Sequence, residues 1–371
     1  MKTVCEINKC AGCMACSDIC PKRAIKIIDN LSDYNAVIDE EKCINCDVCH
    51  QVCPNNYPVK AVLPIKWYQG WAENSGVRKE SSSGGAATSI SKAFIENGGV
   101  VCSCTFNHGN FLFEFADNLD DLKKFVGSKY VKSNPTGVYK VIQHRLKNGE
   151  KVLFIGLPCQ VAALKNFIGE QLSAKLYTID LICHGTPSPK LLELFLKQYG
   201  LSLSKLEDIQ FRVKANYQVY ADHKGIITSG VSDRYSIAFL NALISTDNCY
   251  CCRYAKKERI SDLTLGDSWG SNLDKEEQKK GVSLIVSQTE KGILLLKMAE
   301  LHLEAVDIDN AINHNQQLRH PSIMPVRRKD FFKGIKNGKF NSLVFRILLK
   351  QCIKQDIKQF LIKSKILKNN I

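Results

Sequence analysis

The sequence predicts a multidomain chain of mixed α+β and α/β class. Three observations predict it. A cysteine run near the N-terminus is repeated once, which indicates a small α+β module. Short apolar runs that alternate with helical patterns follow, which indicates an α/β body. Apolar residues then recur at helical spacing among lysines from residue 343 to 367, which indicates a basic amphipathic helix.

The two cysteine runs share the spacing C-x2-C-x2-C-x3-C-P, which holds two 4Fe–4S clusters in bacterial ferredoxins. Their members are Cys10, Cys13, Cys16, Cys20 and Pro21, then Cys43, Cys46, Cys49, Cys53 and Pro54. Crossed ligation would join Cys53 to the first three cysteines and Cys20 to the second three, with the fourth cysteine of each run at the start of a short helix. Structural zinc sites, which also use C-x2-C pairs, are the alternative. We therefore expect a ferredoxin-like module over residues 1–62.

Length, cysteine content and charge limit the number of domains, the cell compartment and the partners that are expected. The chain has 371 residues, enough for two or three domains, and no apolar run of transmembrane length. The start MKTVCEINKC lacks the apolar core of a secretory signal, so the 17 cysteines are expected as metal ligands or reduced thiols in the cytoplasm. Of the net charge of +14, residues 327–371 carry +11. The basic charge is therefore a C-terminal feature, and no nucleic-acid partner is expected.

The body is predicted from residue 67 to 326, with a first part at 67–148 and a second at 149–326. Strands are expected at 100–106, 111–115, 151–156, 176–182, 211–213, 217–220, 226–228, 263–265 and 282–286. Helices are expected at 90–95, 161–167 and 191–199, and the tail occupies 327–371.

Four cysteines outside the two runs suggest a third cluster. Cys159 and Cys183 are each expected to follow a strand and open a helix, whose N-terminus favours a thiolate. Cys249 and Cys252 have C-x2-C spacing. Burial as small apolar residues is the alternative. The remaining cysteines show no pattern and are interpreted as non-ligands: Cys5, Cys102, Cys104, Cys251 and Cys352.

Residues 67–325, about 70% of the chain, resemble the beta subunit of coenzyme F420 hydrogenase/dehydrogenase. The motifs that carry the resemblance stand in the family's order: Ser82-Ser83-Gly84-Gly85-Ala86-Ala87-Thr88, Gly156-Leu157-Pro158-Cys159-Gln160, Cys183-His184-Gly185-Thr186-Pro187-Ser188-Pro189, the run from Cys249 to Cys252, and Asp262-Leu263-Thr264-Leu265-Gly266-Asp267-Ser268-Trp269-Gly270. The resemblance implies FAD beside an iron–sulfur cluster whose ligands are Cys159, Cys183, Cys249 and Cys252. It therefore implies a flavin-binding α/β body.

Several residues are candidates for contact with that cofactor. Ser83, Gly84, Gly85 and Thr88 precede or begin a helix, where backbone N–H groups and hydroxyls could bind a phosphate; an ordinary Ser/Gly loop is the alternative. The residues that could line the same cleft are Asp262, Asp267 and Trp269, with turn and core roles as alternatives. His184 is a candidate proton relay or a structural histidine. No G-x-G-x-x-G follows a strand, so no Rossmann nicotinamide site is predicted.

The predicted function is that of an oxidoreductase, in which electrons pass between the clusters and FAD, with hydride exchange to coenzyme F420 or another organic substrate. Two alternatives stay open: a non-catalytic electron-transfer subunit, and a reductase in the biosynthesis of polysaccharide or lipid-linked precursors. The expected partner is a ferredoxin or a hydrogenase/dehydrogenase subunit. The basic tail suggests a peripheral membrane position on an anionic surface, docking to an acidic partner, or packing on its own domain.

Overall fold

The computed structural model describes residues 2–367. The helices are α1 (Ala15–Ile19), α2 (Val48–Val52), α3 (Ser75–Glu80), α4 (Ala86–Glu96), α5 (Val138–Lys147), α6 (Pro158–Ile168), α7 (Pro189–Lys197), α8 (Arg234–Leu240), α9 (Lys275–Lys279), α10 (Glu290–Met298), α11 (Ile308–His314), α12 (Arg328–Gly334), α13 (Phe340–Ile347) and α14 (Leu349–Lys363). The strands are β1 (Ile25–Asp29), β2 (Tyr34–Ile38), β3 (Lys66–Ala72), β4 (Gly99–Asn107), β5 (Asn110–Ala116), β6 (Lys151–Gly156), β7 (Leu176–Leu181), β8 (Ile209–Val213), β9 (Asn216–Ala221), β10 (Lys224–Gly225), β11 (Leu263–Asp267), β12 (Ser283–Ser287) and β13 (Leu301–Ala305).

A mixed sheet of eight strands forms the centre of the body, in the order β13-β3-β12-β11-β7-β6-β4-β5. The strands β4, β6, β7 and β11 are parallel, and the outer pairings are antiparallel. Apolar side chains alternate between the two faces: Val152 and Phe154 pack with α5 and α6, whereas Leu153 and Ile155 pack with α4. Both faces are therefore covered, as the near-continuous apolar run of β6 predicts.

The sheet takes strands from both sides of residue 148, so the regions 67–148 and 149–326 form one body. The predicted hairpin of β4 and β5 and the predicted strand β6 are confirmed. Because β6, β7 and β11 are parallel, their carboxyl ends meet at one edge. Ligands of α/β sheets bind at such an edge. It brings together the segments that contain Cys159, Cys183 and Asp267.

The N-terminal module consists of the β1–β2 hairpin with α1 and α2, and it shares a hydrophobic core with α5 and α6. Direct hydrogen bonds fix it to the body. The hydroxyl of Tyr139 donates to the carbonyl oxygen of Cys13 at 2.8 Å, and the Asp18 carboxylate accepts from the backbone N–H of Gly137. One expectation is wrong: Cys20 and Cys53 follow α1 and α2 instead of beginning a helix.

Two further predictions need correction. The third strand of the small antiparallel sheet lies at Lys224–Gly225 and not at 226–228. The C-terminal helix is divided into α13 and α14, because the backbone of Leu348 leaves the helical region at ψ 47°. Residues 368–371 of the predicted tail lie outside the described residues. Within residues 2–367, no helix combines the length and the apolar character needed to cross a membrane.

Candidate metal centres and cofactor cleft

The four cysteines outside the N-terminal runs converge on one cavity of about 310 Å³. Cys159, Cys183, Cys249 and Cys252 all line it, and they come from three loops at the carboxyl edge of the sheet. Four sulfur donors are the ligand set of a 4Fe–4S cluster. The residues present therefore fit a cluster at this position.

Cys159 lies in the first turn of α6, as the sequence predicts. Pro158 begins the helix, where its missing N–H costs nothing. The side-chain oxygen of Gln160 accepts from the backbone N–H of Leu157 at 2.9 Å, and its amide donates to the hydroxyl of Ser133 at 3.0 Å. Burial raises the pKa of the Cys159 thiol. Deprotonation of this sulfur therefore needs compensating positive charge, which bound iron would supply.

Cys183 differs from expectation, because it lies in an extended loop and the next helix begins only at Pro189. The loop depends on Gly185, which has φ +117°. A Cβ atom on Gly185 would stand 2.6 Å from the hydroxyl of Ser245 and 3.4 Å from the Cβ of Cys249. Glycine therefore allows the Cys249 loop to approach Cys183. Burial raises the pKa of Cys183, and nearby Cys249 raises it further.

Arg328 of α12 holds the start of the Cys249–Cys252 loop. Its guanidinium lies 2.7 Å from a carboxylate oxygen of Asp247 and donates to the carbonyl oxygen of Ser245 at 2.7 Å. The hydroxyl of Thr246 lies 3.4 Å from the sulfur of Cys249. The position of the Cys249–Cys252 loop thus depends on Arg328, which is distant from it in the sequence.

A second arginine holds the end of this loop. Arg259 forms a fully buried ion pair of 2.7 Å with Asp180 of β7. The same guanidinium donates to the carbonyl oxygen of Tyr254 at 2.7 Å, two residues after Cys252. Strand β7 therefore positions two cysteines. Cys183 follows the strand closely in sequence, and Cys252 is held by the ion pair between Asp180 and Arg259.

Lys132 is a cavity residue that the sequence reasoning missed. It is buried, lines the cysteine cavity, and donates to the carbonyl oxygen of Ala11 at 2.9 Å. Burial by itself would lower the pKa of Lys132, but the surrounding cysteines, led by Cys159, raise it. No motif includes this lysine, so nothing in the sequence distinguishes it from a surface residue. Its ammonium places one positive charge between the cavity and the N-terminal module.

The N-terminal module brings together the cysteines that crossed ligation pairs. A second, smaller cavity is lined by Cys10, Cys13, Cys16 and Cys53, together with Cys5. In the other set, burial raises the pKa of Cys49, and the neighbours Cys20 and Cys43 raise it further. Backbone N–H groups also point at sulfur atoms, from Gly12 to Cys10 at 3.4 Å, from Ala24 to Cys20 at 3.3 Å and from Asn45 to Cys43 at 3.4 Å.

The two cysteine sets of the module differ in exposure, and the buried one adjoins the third set. Cys46 of the second run is exposed, whereas Cys10, Cys13 and Cys16 of the first run are buried, as is Cys53. Cys5, Ala11 and Asn55 line both the small cavity of the module and the large cavity of the body. The buried set of the module is therefore the immediate neighbour of the third cysteine set.

The Ser/Gly loop at residues 82–85 has a packing role in addition to any role in binding a ligand. A Cβ atom on Gly84 would stand 2.5 Å from the carbonyl oxygen of Gly70, so close strand contact requires this glycine. The hydroxyl of Ser83 donates to the carbonyl oxygen of Val282 at 3.0 Å. Gly85 has φ +87° and precedes α4, which begins without a side-chain cap. The first N–H groups of α4, including that of half-buried Thr88, fit an anion.

Asp267 is connected to this loop by two residues that the sequence reasoning missed. Both its carboxylate oxygens accept from Arg212, at 2.6 and 2.8 Å. Lys214, in the β8–β9 turn at φ +50°, donates to the carbonyl oxygens of Ser81 at 2.8 Å and Ser83 at 3.2 Å. Cationic side chains therefore lie between Asp267 and the loop.

Asp262 does not join this group, contrary to the prediction. It lies at the amino end of β11, opposite to Asp267. One carboxylate oxygen accepts from the backbone N–H and hydroxyl of Thr178, both at 2.8 Å, and the other accepts from the hydroxyl of Thr289 at 2.7 Å. Asp262 therefore ties strands together at the far edge of the sheet.

His184 begins a row of aromatic rings that leads from the cysteine cavity towards Asp267. Its ring centroid lies 5.3 Å from that of Phe239, which stacks on Tyr130 at 4.5 Å. Tyr130 stacks on Tyr217 at 5.9 Å, and the guanidinium of Arg212 lies over Tyr217 and near exposed Trp269. Burial lowers the pKa of His184, which favours a neutral imidazole. The row links the two candidate sites physically.

Family models match most of the chain. The family model described as coenzyme F420 hydrogenase/dehydrogenase, beta subunit N-term, matches residues 67–139, and that for the C terminus of the same subunit matches residues 149–311. The model of the 4Fe-4S dicluster domain matches residues 9–57. A search of curated proteins gave no match.

Among solved structures, the chain is similar to a chain of the F420-reducing [NiFe] hydrogenase complex from Methanosarcina barkeri. Identity is 17%, the match covers 69% of this chain and 91% of that chain, and the TM-score is 0.49. That likeness carries no functional argument. The family models, which together match more than half of the sequence, do establish membership. The chain belongs to the coenzyme F420 hydrogenase/dehydrogenase beta-subunit family, with a 4Fe–4S dicluster domain in front.

Proposed function

We propose that this chain is an iron–sulfur flavoprotein oxidoreductase of the cytoplasm. It passes electrons between the dicluster domain, a third cluster and FAD, and exchanges a hydride with coenzyme F420 or another organic substrate. The observation that carries the proposal is the shared wall of Cys5, Ala11 and Asn55 between the two cysteine cavities. This wall makes the buried set of the module and the third set neighbours, as electron transfer between them requires.

The protein's own residues have distinct roles in this proposal. The four cysteines of the large cavity hold the third cluster, and Lys132 offsets part of its negative charge. Arg328 and Arg259 position the loop between Cys249 and Cys252. The dicluster cysteines hold the other two clusters in the crossed arrangement.

FAD fits best between the N-terminus of α4 and the β8–β9 turn. The N–H groups of α4 suit the diphosphate, Lys214 holds the loop at Ser81 and Ser83 beside them, and Tyr217 and Trp269 offer aromatic faces to a planar ring. Bound FAD supplies the exchange between a two-electron hydride and single electrons. The row from Tyr130 to His184 fills the space from this cleft to Cys183.

A non-catalytic electron-transfer subunit is the second candidate. It is favoured by the exposed part of the second cysteine run, where Cys46 and Ile44 face solvent. A ferredoxin or a hydrogenase/dehydrogenase subunit would dock at such a surface. Turnover by the isolated chain separates the two functions: reduction of the clusters by reduced coenzyme F420 supports the enzyme, and its absence in flavin-loaded protein supports the subunit.

The cofactor content tests the proposal directly. After anaerobic reconstitution with iron, sulfide and FAD, we expect about twelve iron atoms and one flavin per chain. Cys159→Ala and Cys252→Ala should each lose about four iron atoms. Cys251→Ala, a change of the exposed cysteine beside Cys252, is the matched control and should keep them. Retention of all iron by Cys159→Ala, or absence of flavin from the reconstituted chain, would refute the assignment.

A further inference from the structure

The C-terminal helix α14 contacts its own domain through Cys352, which lies in a hydrophobic core of the body, and through polar side chains. The side-chain oxygen of Gln355 accepts from the backbone N–H of Ser232 at 3.1 Å, and Gln359 donates to the hydroxyl of Thr228 at 3.1 Å. In the described part of α14, Cys352 is the fully buried side chain. The face that an amphipathic helix ordinarily buries is therefore not the face that α14 buries.

An apolar stripe of α14 faces solvent instead. Leu349, Ile353, Ile357 and Phe360 are 46%, 41%, 55% and 65% exposed. Their spacing of four, four and three residues places them on one side of the helix. Contiguous exposed apolar surface of this kind marks an interaction site. Its contact with water is unfavourable, and that cost is removed only when another surface covers it.

Positive charge borders the stripe. Exposed Lys350, Lys354 and Lys358 follow one flank at helical spacing, and Lys363 and Lys365 lie at its end. The acid of this helix, Asp356, is paired with Arg234 of the body at 2.7 Å. The solvent-facing side of α14 is thus apolar in the middle and cationic at the border.

We propose that α14 binds in the plane of an anionic lipid bilayer, with the stripe at the acyl boundary and the lysines at the headgroups. The pattern is that of an interfacial helix, which combines apolar burial with attraction to anionic lipid. A second copy of the chain would bring the same lysines against each other, which like-charge repulsion opposes. The surface contains no residue of the cysteine cavities, so the inference is independent of the proposed function.

Vesicle flotation with the reconstituted full chain tests the proposal. Vesicles of phosphatidylcholine alone are compared with vesicles that also contain about a third phosphatidylglycerol, at low and high salt. We expect binding to the anionic vesicles at low salt, at least ~tenfold weaker binding to neutral vesicles, and weakening by salt. Equal binding to both vesicle types, or no binding to either, would overturn the proposal.

Three variants separate the stripe from general electrostatics. Ile353→Gln/Ile357→Gln/Phe360→Gln removes apolar contact, and Lys350→Gln/Lys354→Gln/Lys358→Gln removes charge; each should weaken binding at least ~tenfold. The control with the same charge change is Lys60→Gln/Lys66→Gln/Lys147→Gln, at exposed positions of the module and body. Iron content confirms that each variant folds.

The control is expected to bind anionic vesicles like the unchanged chain. Equal weakening by the control and the tail lysine variant would mean nonspecific attraction and would overturn the proposal. A stripe variant that keeps vesicle binding would overturn it as well. So would a dimer of the unchanged chain that the stripe variant abolishes, with no vesicle binding by either, because the stripe would then serve self-association.

Discussion

The ammonium of Lys132 donates to the carbonyl oxygen of Ala11 at 2.9 Å and at the same time lines the cavity of the four cysteines. One buried positive charge therefore stands next to two sets of cysteines. Positive charge near a redox centre favours its reduced form, because reduction adds an electron. This relationship makes Lys132 the residue with the sharpest expected effect on electron transfer.

Lys132→Met should lower the reduction potential of the third cluster by roughly 50 to 100 mV, as expected for a unit charge several ångströms away in a partly screened interior. Titration of the clusters monitored by electron paramagnetic resonance measures it. Lys132→Arg keeps the positive charge, so its third cluster should have a reduction potential close to that of the unchanged chain. Lys140→Met, at an exposed position of α5, is the control and should leave it unchanged. Equal potentials in Lys132→Met and the unchanged chain would contradict the role.

Crossed ligation in the dicluster domain predicts which cysteine variants lose the same cluster. Cys13→Ala and Cys53→Ala should each lose about four iron atoms, and the double variant should lose no more than either alone. Cys13→Ala/Cys20→Ala should lose about eight, because its members serve different clusters. Iron analysis after reconstitution distinguishes crossed ligation from ligation of one cluster by each run. The opposite pattern would show that each run holds its own cluster.

The ion pair of Arg259 and Asp180 should matter far more than another pair of the same length. Both this pair and that of Arg234 and Asp356 measure 2.7 Å, but the first is buried and the second has an Asp356 side chain that is 46% exposed. Arg259→Met leaves a buried carboxylate unpaired and should cost about 3–5 kcal/mol of unfolding free energy.

The matched control Arg234→Met should cost at most about 1 kcal/mol. Urea unfolding compares the two variants at equal iron content. Similar losses would mean that the burial of the first pair has no energetic consequence. Arg259→Met should also loosen the Cys252 loop, so a faster release of iron to a chelator is expected for this variant and not for the control.

Lys214 should give stability a pH dependence above neutrality. Burial, with the nearby Arg78 and Arg212, lowers its pKa to about 8. In the unfolded chain a lysine holds its proton up to about pH 10.4. Between these two values the unfolded chain binds more protons, so the contribution of Lys214 to stability rises with pH.

The comparison of the unchanged chain with Lys214→Met isolates this contribution. From pH 7.5 to 9.5, the difference between their urea midpoints should shift in favour of the unchanged chain. The same change at Lys147, which is exposed, should show no such shift. A difference that stays constant with pH would mean that Lys214 keeps its proton throughout.

The sequence predicted what depends on short spacing. The cysteine runs, the β4–β5 hairpin and the helix expected at 161–167 are all local patterns; the structure contains the hairpin, and it contains the helix as α6, which begins earlier, at Pro158. The four cysteines of the third set line one cavity, as a shared site requires. Their role as ligands is still a prediction.

Residues that act at a distance along the chain were not predictable in this way. Lys132 reaches Ala11 across 121 positions, and Lys214 reaches Ser83 across 131. Neither belongs to a motif, and lysine is an ordinary surface residue. Asp262 and Asp267 show the reverse error: they are close in sequence, but a strand holds them at opposite edges of the sheet.

The common core of the dicluster domain and helices α5 and α6 has a mechanical consequence. A carrier domain on a flexible linker must diffuse between donor and acceptor, so its rate falls as solvent viscosity rises. Tyr139 and Asp18 instead fix this domain to the body by direct hydrogen bonds. Under the proposed function, electrons inside the chain would therefore cross a constant distance, and only the encounter with an external partner should slow in viscous solvent.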